Sequence, residues 1–114
     1  MSIHNKINIA IIGATGYTGL DLAYILSKHP RVKIKHLCAT KNLGKRIGFF
    51  DKRIKRNLPK ISSIKRINWE KLDLVFLSLP NGEAQKLIKN LFYKHHHVKF
   101  IDLSADFRIT DAST

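Results

Sequence analysis

Three short stretches of this 114-residue sequence carry the residue types and spacings that do chemistry. The first is Gly13-Ala14-Thr15-Gly16-Tyr17-Thr18-Gly19, which follows an apolar run and opens a helix-forming one. In that setting Gly13 permits a tight strand-to-helix turn, Gly16 lets backbone amides approach a pyrophosphate, and Gly19 lets helix and strand pack closely. The amides at the helix start, together with the positive end of its dipole, can hold phosphates. A glycine repeat alone is weak evidence, since turns use glycine everywhere. The strand before it and the helix after it are what make dinucleotide binding the expectation, with Thr15, Tyr17 and Thr18 as neighbours in the same loop.

The second stretch is Leu79-Pro80-Asn81-Gly82, again after an apolar run. A proline stop followed by a helix cap would by itself explain Pro80 and Asn81, but a turn at the carboxyl end of a strand is also where doubly wound folds build their sites. The third is Ile101-Asp102-Leu103-Ser104-Ala105-Asp106-Phe107-Arg108, where an apolar strand ends in alternating acid, hydroxyl and guanidinium. Ser104, Asp106 and Arg108 are the candidate substrate-binding residues. Arg108 suits bidentate recognition of a carboxylate or phosphate.

Cofactor choice is read at the end of the second strand. A site for NAD usually places Asp or Glu about 20 residues beyond the glycines, to bind the ribose 2′-hydroxyl. Here the segment is Cys38-Ala39-Thr40-Lys41-Asn42, without an acid. Thr40 can donate a hydrogen bond, and Lys41, Lys45 and Arg46 lie within reach of a 2′-phosphate. The expectation is NADP, against the alternative that these cations belong to a general basic excess.

These residues need elements to position them. Lys6 to Ile12 is β-branched and apolar and reads as a buried strand. Tyr17 to Lys28 is helical in composition, with Leu20, Leu22, Ala23, Ile25 and Leu26 covering most of its circumference, and Pro30 stops it. Val32 to Cys38 alternates as a second strand. Ala39 to Lys60 is a basic connection, mostly loop with one short helical turn, and Ile61 to Ile67 is a weaker strand candidate. Leu74 to Leu79 is another buried strand, ended by Pro80. Asn81 can cap a helix whose Ala84, Leu87, Ile88, Leu91 and Phe92 share one face. His95 to His97 form the turn into a last strand, Val98 to Leu103. Strands alternating with helices predict an α/β fold, doubly wound and Rossmann-like, with a mostly parallel sheet covered on both faces.

Charge and composition narrow the classes. The chain carries 21 Lys+Arg against 8 Asp+Glu, a net +13. Lys41 to Arg66 holds ten basic residues against the single acid Asp51 and so supplies +9 of that charge. Such a balance raises nucleic acid as a partner, but the segment has no zinc-finger spacing, no RNP-like motif, and only the pair Phe49 and Phe50 as aromatics. A basic module for RNA or an acidic partner therefore stands as the alternative, and steep salt dependence would mark it. An inactive remnant is the third reading. No apolar run approaches the roughly 18–20 residues that span a bilayer, and the N-terminus lacks the features of a signal peptide. The lone Cys38 builds no disulfide framework, so a reducing, cytoplasmic compartment is expected. Three consecutive histidines do not give the spaced ligands of a zinc site, and no metal is expected.

The Gly-Ala-Thr-Gly-Tyr-Thr-Gly loop, the Leu-Pro-Asn-Gly turn and Ile-Asp-Leu-Ser-Ala-Asp-Phe-Arg, in this order and spacing, resemble N-acetyl-gamma-glutamyl-phosphate reductases along essentially the whole chain. Aspartate-semialdehyde dehydrogenases share the glycine loop but usually differ in the last motif. The reductase of the lysine and aminoadipate pathway shares most of the pattern. Asn81 stands where Leu-Pro-His-Gly is commoner. The resemblance implies an NADPH-dependent reduction of an acyl phosphate to a semialdehyde in arginine biosynthesis, with a cysteine thiolate as nucleophile and a histidine as acid/base. It also implies that the nucleophile lies in a second, substrate-binding domain beyond Thr114, so that residues 1–114 are the cofactor-binding part, without catalytic residues of their own, and that oligomer contacts involve that second domain. Cys38 does not match the nucleophile, nor the histidine triplet the acid/base.

Overall fold

The computed structural model describes residues 6–80, 82–92 and 94–103. The order is β1 (Ile7–Ile12), α1 (Tyr17–Ser27), β2 (Val32–Cys38), β3 (Ile61–Ser62), β4 (Leu74–Leu77), α2 (Glu83–Phe92) and β5 (Lys99–Asp102). The strands lie in the order β3-β2-β1-β4-β5, and every neighbouring pair is parallel. The chain therefore winds outward from β1 in one direction and then returns to wind in the other. The reversal falls between β1 and β4.

Alternation along β1 feeds two cores. Ile9 and Ile11 point to the face carrying α1, where they meet Ala23, Ile34, Leu37 and Ile61. Ala10 and Ile12 point to the other face, with Val75, Leu77 and Val98 and, from α2, Leu87 and Ile88. Burial of both faces is what the continuous apolar strands demanded. On α1 the apolar residues exceed what one sheet face can cover, and Ile25 is left exposed. Leu87 and Ile88 of the expected α2 stripe pack inward, while the Ala84 and Phe92 side chains and the Asn81 cap lie outside the described residues.

Two local departures from simple periodicity matter. Pairing of β1 with β2 skips a residue, Ile9 facing Ile34 but Ala10 facing His36, so Lys35 forms a bulge. The extra residue shifts the phase of the strand, which puts Ile34 and Leu37 in the α1-side core and Cys38 in the opposite one. The expected strand Ile61–Ile67 stops after two residues. Ser63 Oγ accepts the Lys65 amide at 3.1 Å and starts a 3-10 turn, Ile64–Arg66, so a side chain replaces the ladder partner.

The basic connection contains the expected helical turn, Ile47–Phe49, and it is no free loop. Ile47 and Ile54 are buried in the α1-side core. Arg53 pairs with Asp51 at 2.6 Å and with Asp21 of α1 at 2.7 Å, and its guanidinium lies over the Tyr24 ring. The segment is thus pinned to α1 by one arginine and two isoleucines.

Candidate dinucleotide site

The glycine loop is built by the carbonyl of Cys38, the last residue of β2. It accepts both the Gly13 amide at 2.8 Å and the Ala14 amide at 3.0 Å. Gly13 sits at φ +88°, and a Cβ there would lie 2.1 Å from the Ser78 carbonyl oxygen. A Cβ on Gly19 would lie 2.2 Å from the Gly13 carbonyl oxygen and 2.9 Å from Ala14 Cα. These two glycines are demanded by the protein itself: Gly13 by its left-handed backbone and the crossing of β4, Gly19 by the approach of α1 to the loop.

Gly16 is different. A Cβ there would find only the Gly13 carbonyl oxygen, at an ordinary 3.6 Å, and the backbone is extended at φ −75°. Among the described residues, nothing asks for glycine at this position. Gly16 caps the N-terminus of α1 without a side chain to satisfy the first helical amides, which no carbonyl of the helix can reach. It borders a hollow of about 530 Å³.

That hollow lies at the carboxyl ends of β1, β2 and β4, where the winding reverses. Gly13, Thr15 and Gly16 form one wall, Cys38, Ala39 and Thr40 a second, and Ser78, Leu79 and Pro80 a third. Leu43, Ser63 and Ile64 close the side toward β3, and Glu83 and Leu87 the side toward α2. The expected residues Gly13, Thr15, Gly16, Thr40, Leu79 and Pro80 are therefore brought together. Tyr17 instead points to solvent, 94% exposed, and Gly19 is buried behind the loop; neither lines the hollow, nor does Thr18. Gly82 and Lys41 also stand outside the lining. Asn81, Ser104, Asp106 and Arg108 lie outside the described residues.

Two cations expected near a 2′-phosphate are engaged elsewhere. Arg46 Nη1 donates to Asn57 Oδ1 at 2.6 Å and to the Leu58 carbonyl at 3.0 Å, and Arg46 borders an open hollow of about 1090 Å³ that also takes in Lys6, Lys33 and Asp73, at the opposite, amino ends of the strands. Lys45 Nζ sits 4.7 Å from the centre of the Phe49 ring.

Cys38 faces the hollow as a buried thiol. Burial pushes its pKa up to about 11, and its Sγ lies 4.0 Å from Ser62 Oγ and 3.9 Å from the Ser63 carbonyl. A thiol this hard to ionise is no nucleophile at neutral pH. Sequence reasoning missed Leu43, Ser63, Ser78 and Glu83. Ser78 and Glu83 flank a motif already singled out, whereas Ser63 follows β3, which pairs with β2, and Leu43 lies in the loop that the Gly44 amide ties to the Ile61 carbonyl at 2.7 Å.

Fold and site together define a doubly wound α/β domain with a glycine turn at its switch point, the arrangement of dinucleotide-binding proteins. The family model described as "Semialdehyde dehydrogenase, NAD binding domain" matches residues 8–114, and the chain belongs to that family. The N-acetyl-gamma-glutamyl-phosphate reductase of Ehrlichia canis (strain Jake) is 45% identical over 108 residues, 93% of this chain and 30% of that protein. The reductase of the same name from Ehrlichia ruminantium (strain Gardel) is 43% identical over 112 residues, 96% of this chain and 31% of that protein. The chain thus spans about 30% of the length of these curated relatives. Among solved structures, aspartate semialdehyde dehydrogenase with NADP from Candida albicans superposes with a TM-score of 0.68 at 22% identity, covering 91% of this chain and 31% of that one. That likeness is one of fold. Among the described residues, no helix is long and apolar enough to cross a membrane.

Proposed function

We propose that residues 1–114 are the cofactor-binding domain of an NADPH-dependent N-acetyl-gamma-glutamyl-phosphate reductase, which acts in the cytosol. The observation that carries the dinucleotide part of this reading is Gly16, a glycine that the packing of the described residues does not need, bordering the switch-point hollow. The acyl-phosphate substrate is assigned from the names of relatives at 43–45% identity, and the covalent chemistry is assigned to a second, substrate-binding domain.

In this reading NADPH, when bound, supplies the hydride that takes an acyl phosphate to a semialdehyde with release of phosphate. The chain's own residues hold and orient it. The first amides of α1 meet the pyrophosphate, Thr40 offers a donor near the adenosine, and Leu79 and Pro80 form the apolar wall across from the glycine loop. Arg108, with Ser104 and Asp106, is assigned to the substrate's phosphate or carboxylate. Cys38 takes no covalent part, because its thiol stays protonated at neutral pH.

Titration of the chain with NADPH tests the assignment, alongside the Gly16→Val variant. Binding is expected in the wild type and at least a tenfold loss in the variant, whose stability to urea should change by no more than about 1 kcal/mol. Undiminished binding by Gly16→Val would reduce the glycine loop to a structural turn.

A further inference from the structure

Among the described residues, the lining of the switch-point hollow holds no lysine or arginine, and its one carboxylate is that of Glu83. Two diphosphate charges can be met by helix amides, but a third phosphate at the adenosine end needs a cation. The β2 end itself supplies none to the lining, since Lys41 stands outside it, Lys45 lies over Phe49 and Arg46 is bonded to Asn57 and Leu58.

Directly beside it lies a second hollow of about 440 Å³, and the two share Leu43 and Ser63 as a common wall. This neighbour is lined by Arg66, His36 and Ser62 as well, and by Lys60, which also borders the hollow at the amino ends of the strands. Arg66 and Lys60 are exposed, and no ion pair among the described residues occupies either. Ser63 Oγ accepts the Lys65 amide, which leaves its own proton to donate at the boundary between the hollows. His36 Nε2 accepts the Asn68 amide at 3.1 Å, which fixes one wall and holds the segment leading from Arg66.

We propose that this second hollow is a phosphate subsite, in which the Arg66 guanidinium, assisted by the Ser63 hydroxyl, receives the 2′-phosphate of the dinucleotide. The inference deepens the dinucleotide reading and rests on it. It makes Arg66, contributed from beyond β3, the residue that selects NADPH over NADH, in place of the cations that directly follow β2.

The test compares NADPH with NADH, and adenosine 2′,5′-bisphosphate with AMP, on the wild-type chain, Arg66→Ala and Arg66→Lys. Arg66→Ala should weaken NADPH and the bisphosphate about tenfold or more, with NADH and AMP unchanged, and Arg66→Lys should restore part of the loss. Arg66 is exposed, so unchanged urea midpoints are expected and serve as the folding control. Unaltered NADPH binding by Arg66→Ala, or equal losses for NADPH and NADH, would overturn the subsite while leaving the dinucleotide pocket standing. So would a wild-type chain that prefers NADH. A wild-type chain that binds none of the four would overturn the dinucleotide reading, and the subsite with it.

Discussion

The glycine loop and the basic connection after β2 draw the eye for opposite reasons. The connection holds most of the net charge, and the loop holds none. Yet the connection directs much of its chemistry inward or sideways: Arg53 to two aspartates and a tyrosine ring, Arg46 to its own loop, Lys45 to Phe49. The loop exposes backbone amides at the point where three strand ends meet. Side-chain charge in a sequence marks where a chain is solvated or stapled. A site for phosphates can instead be made of turns whose side chains are missing.

The largest way to break this contrast is inside the loop. Gly13→Ala forces a β-carbon against the Ser78 carbonyl at a left-handed backbone, and should cost about 3 kcal/mol or more by strain and overpacking together. A urea unfolding curve within experimental error of the wild type would show that the loop relaxes freely. Set beside Gly16→Val, which should spare the fold and remove the ligand, it separates glycines needed by the chain from the one kept open for a partner.

The connection should respond more mildly. Arg53→Ala removes both ion pairs and the contact with Tyr24, and hydrogen exchange at Ile54 and Asp51 should quicken while the strands stay protected. The Arg53 bonds hold the Asp51 carboxyl below its usual range, so this pin is fully present above the ordinary carboxylate pKa and is lost as pH falls through the lowered one. Loosening confined to acid, and absent from Arg53→Ala, is the expected signature. A variant with unchanged exchange would mean that Ile47 and Ile54 alone hold the segment.

A smaller signal comes from Trp69, the chain's one tryptophan. His95 stacks on it with ring centres 4.5 Å apart, and His97 Nε2–H donates to its carbonyl at 2.8 Å. Burial, with charge from His97 and Lys94 adding to it, lowers the pKa of His95; burial and then Lys35 lower that of His36, whose Nε2 accepts the neighbouring Asn68 amide. Neutral forms are favoured, so their contribution is full above about pH 6.5 and is lost as pH falls through the lowered values. Fluorescence of Trp69 should change with a midpoint below pH 6.5. A midpoint at or above it would remove the histidines from the account.

Much of this architecture could be read from periodicity, because β1, β4 and both helices bury faces whose spacing is strictly local. The glycine turn was legible for the same reason, its demands falling within seven residues. What escaped depended on partners distant in sequence. The bulge at Lys35 inverts the phase of β2 without any glycine or proline to announce it, and Ser63 looks like a strand residue until its hydroxyl takes the Lys65 amide. Ser63 joins the hollow by way of the pairing of β3 with β2, which no local pattern encodes. The directions taken by Lys45 and Arg46 are set by Phe49 and Asn57, and a count of charges cannot show them.

The bulge also settles how this chain can vary. Removing one residue between Ile34 and His36 would rotate everything from there to Thr40 by half a turn, swapping which side chains meet solvent and which meet the core. The carbonyl that anchors the glycine loop would turn away with them. A single codon there is therefore a switch of spatial phase, set by one residue that has no partner across the ladder.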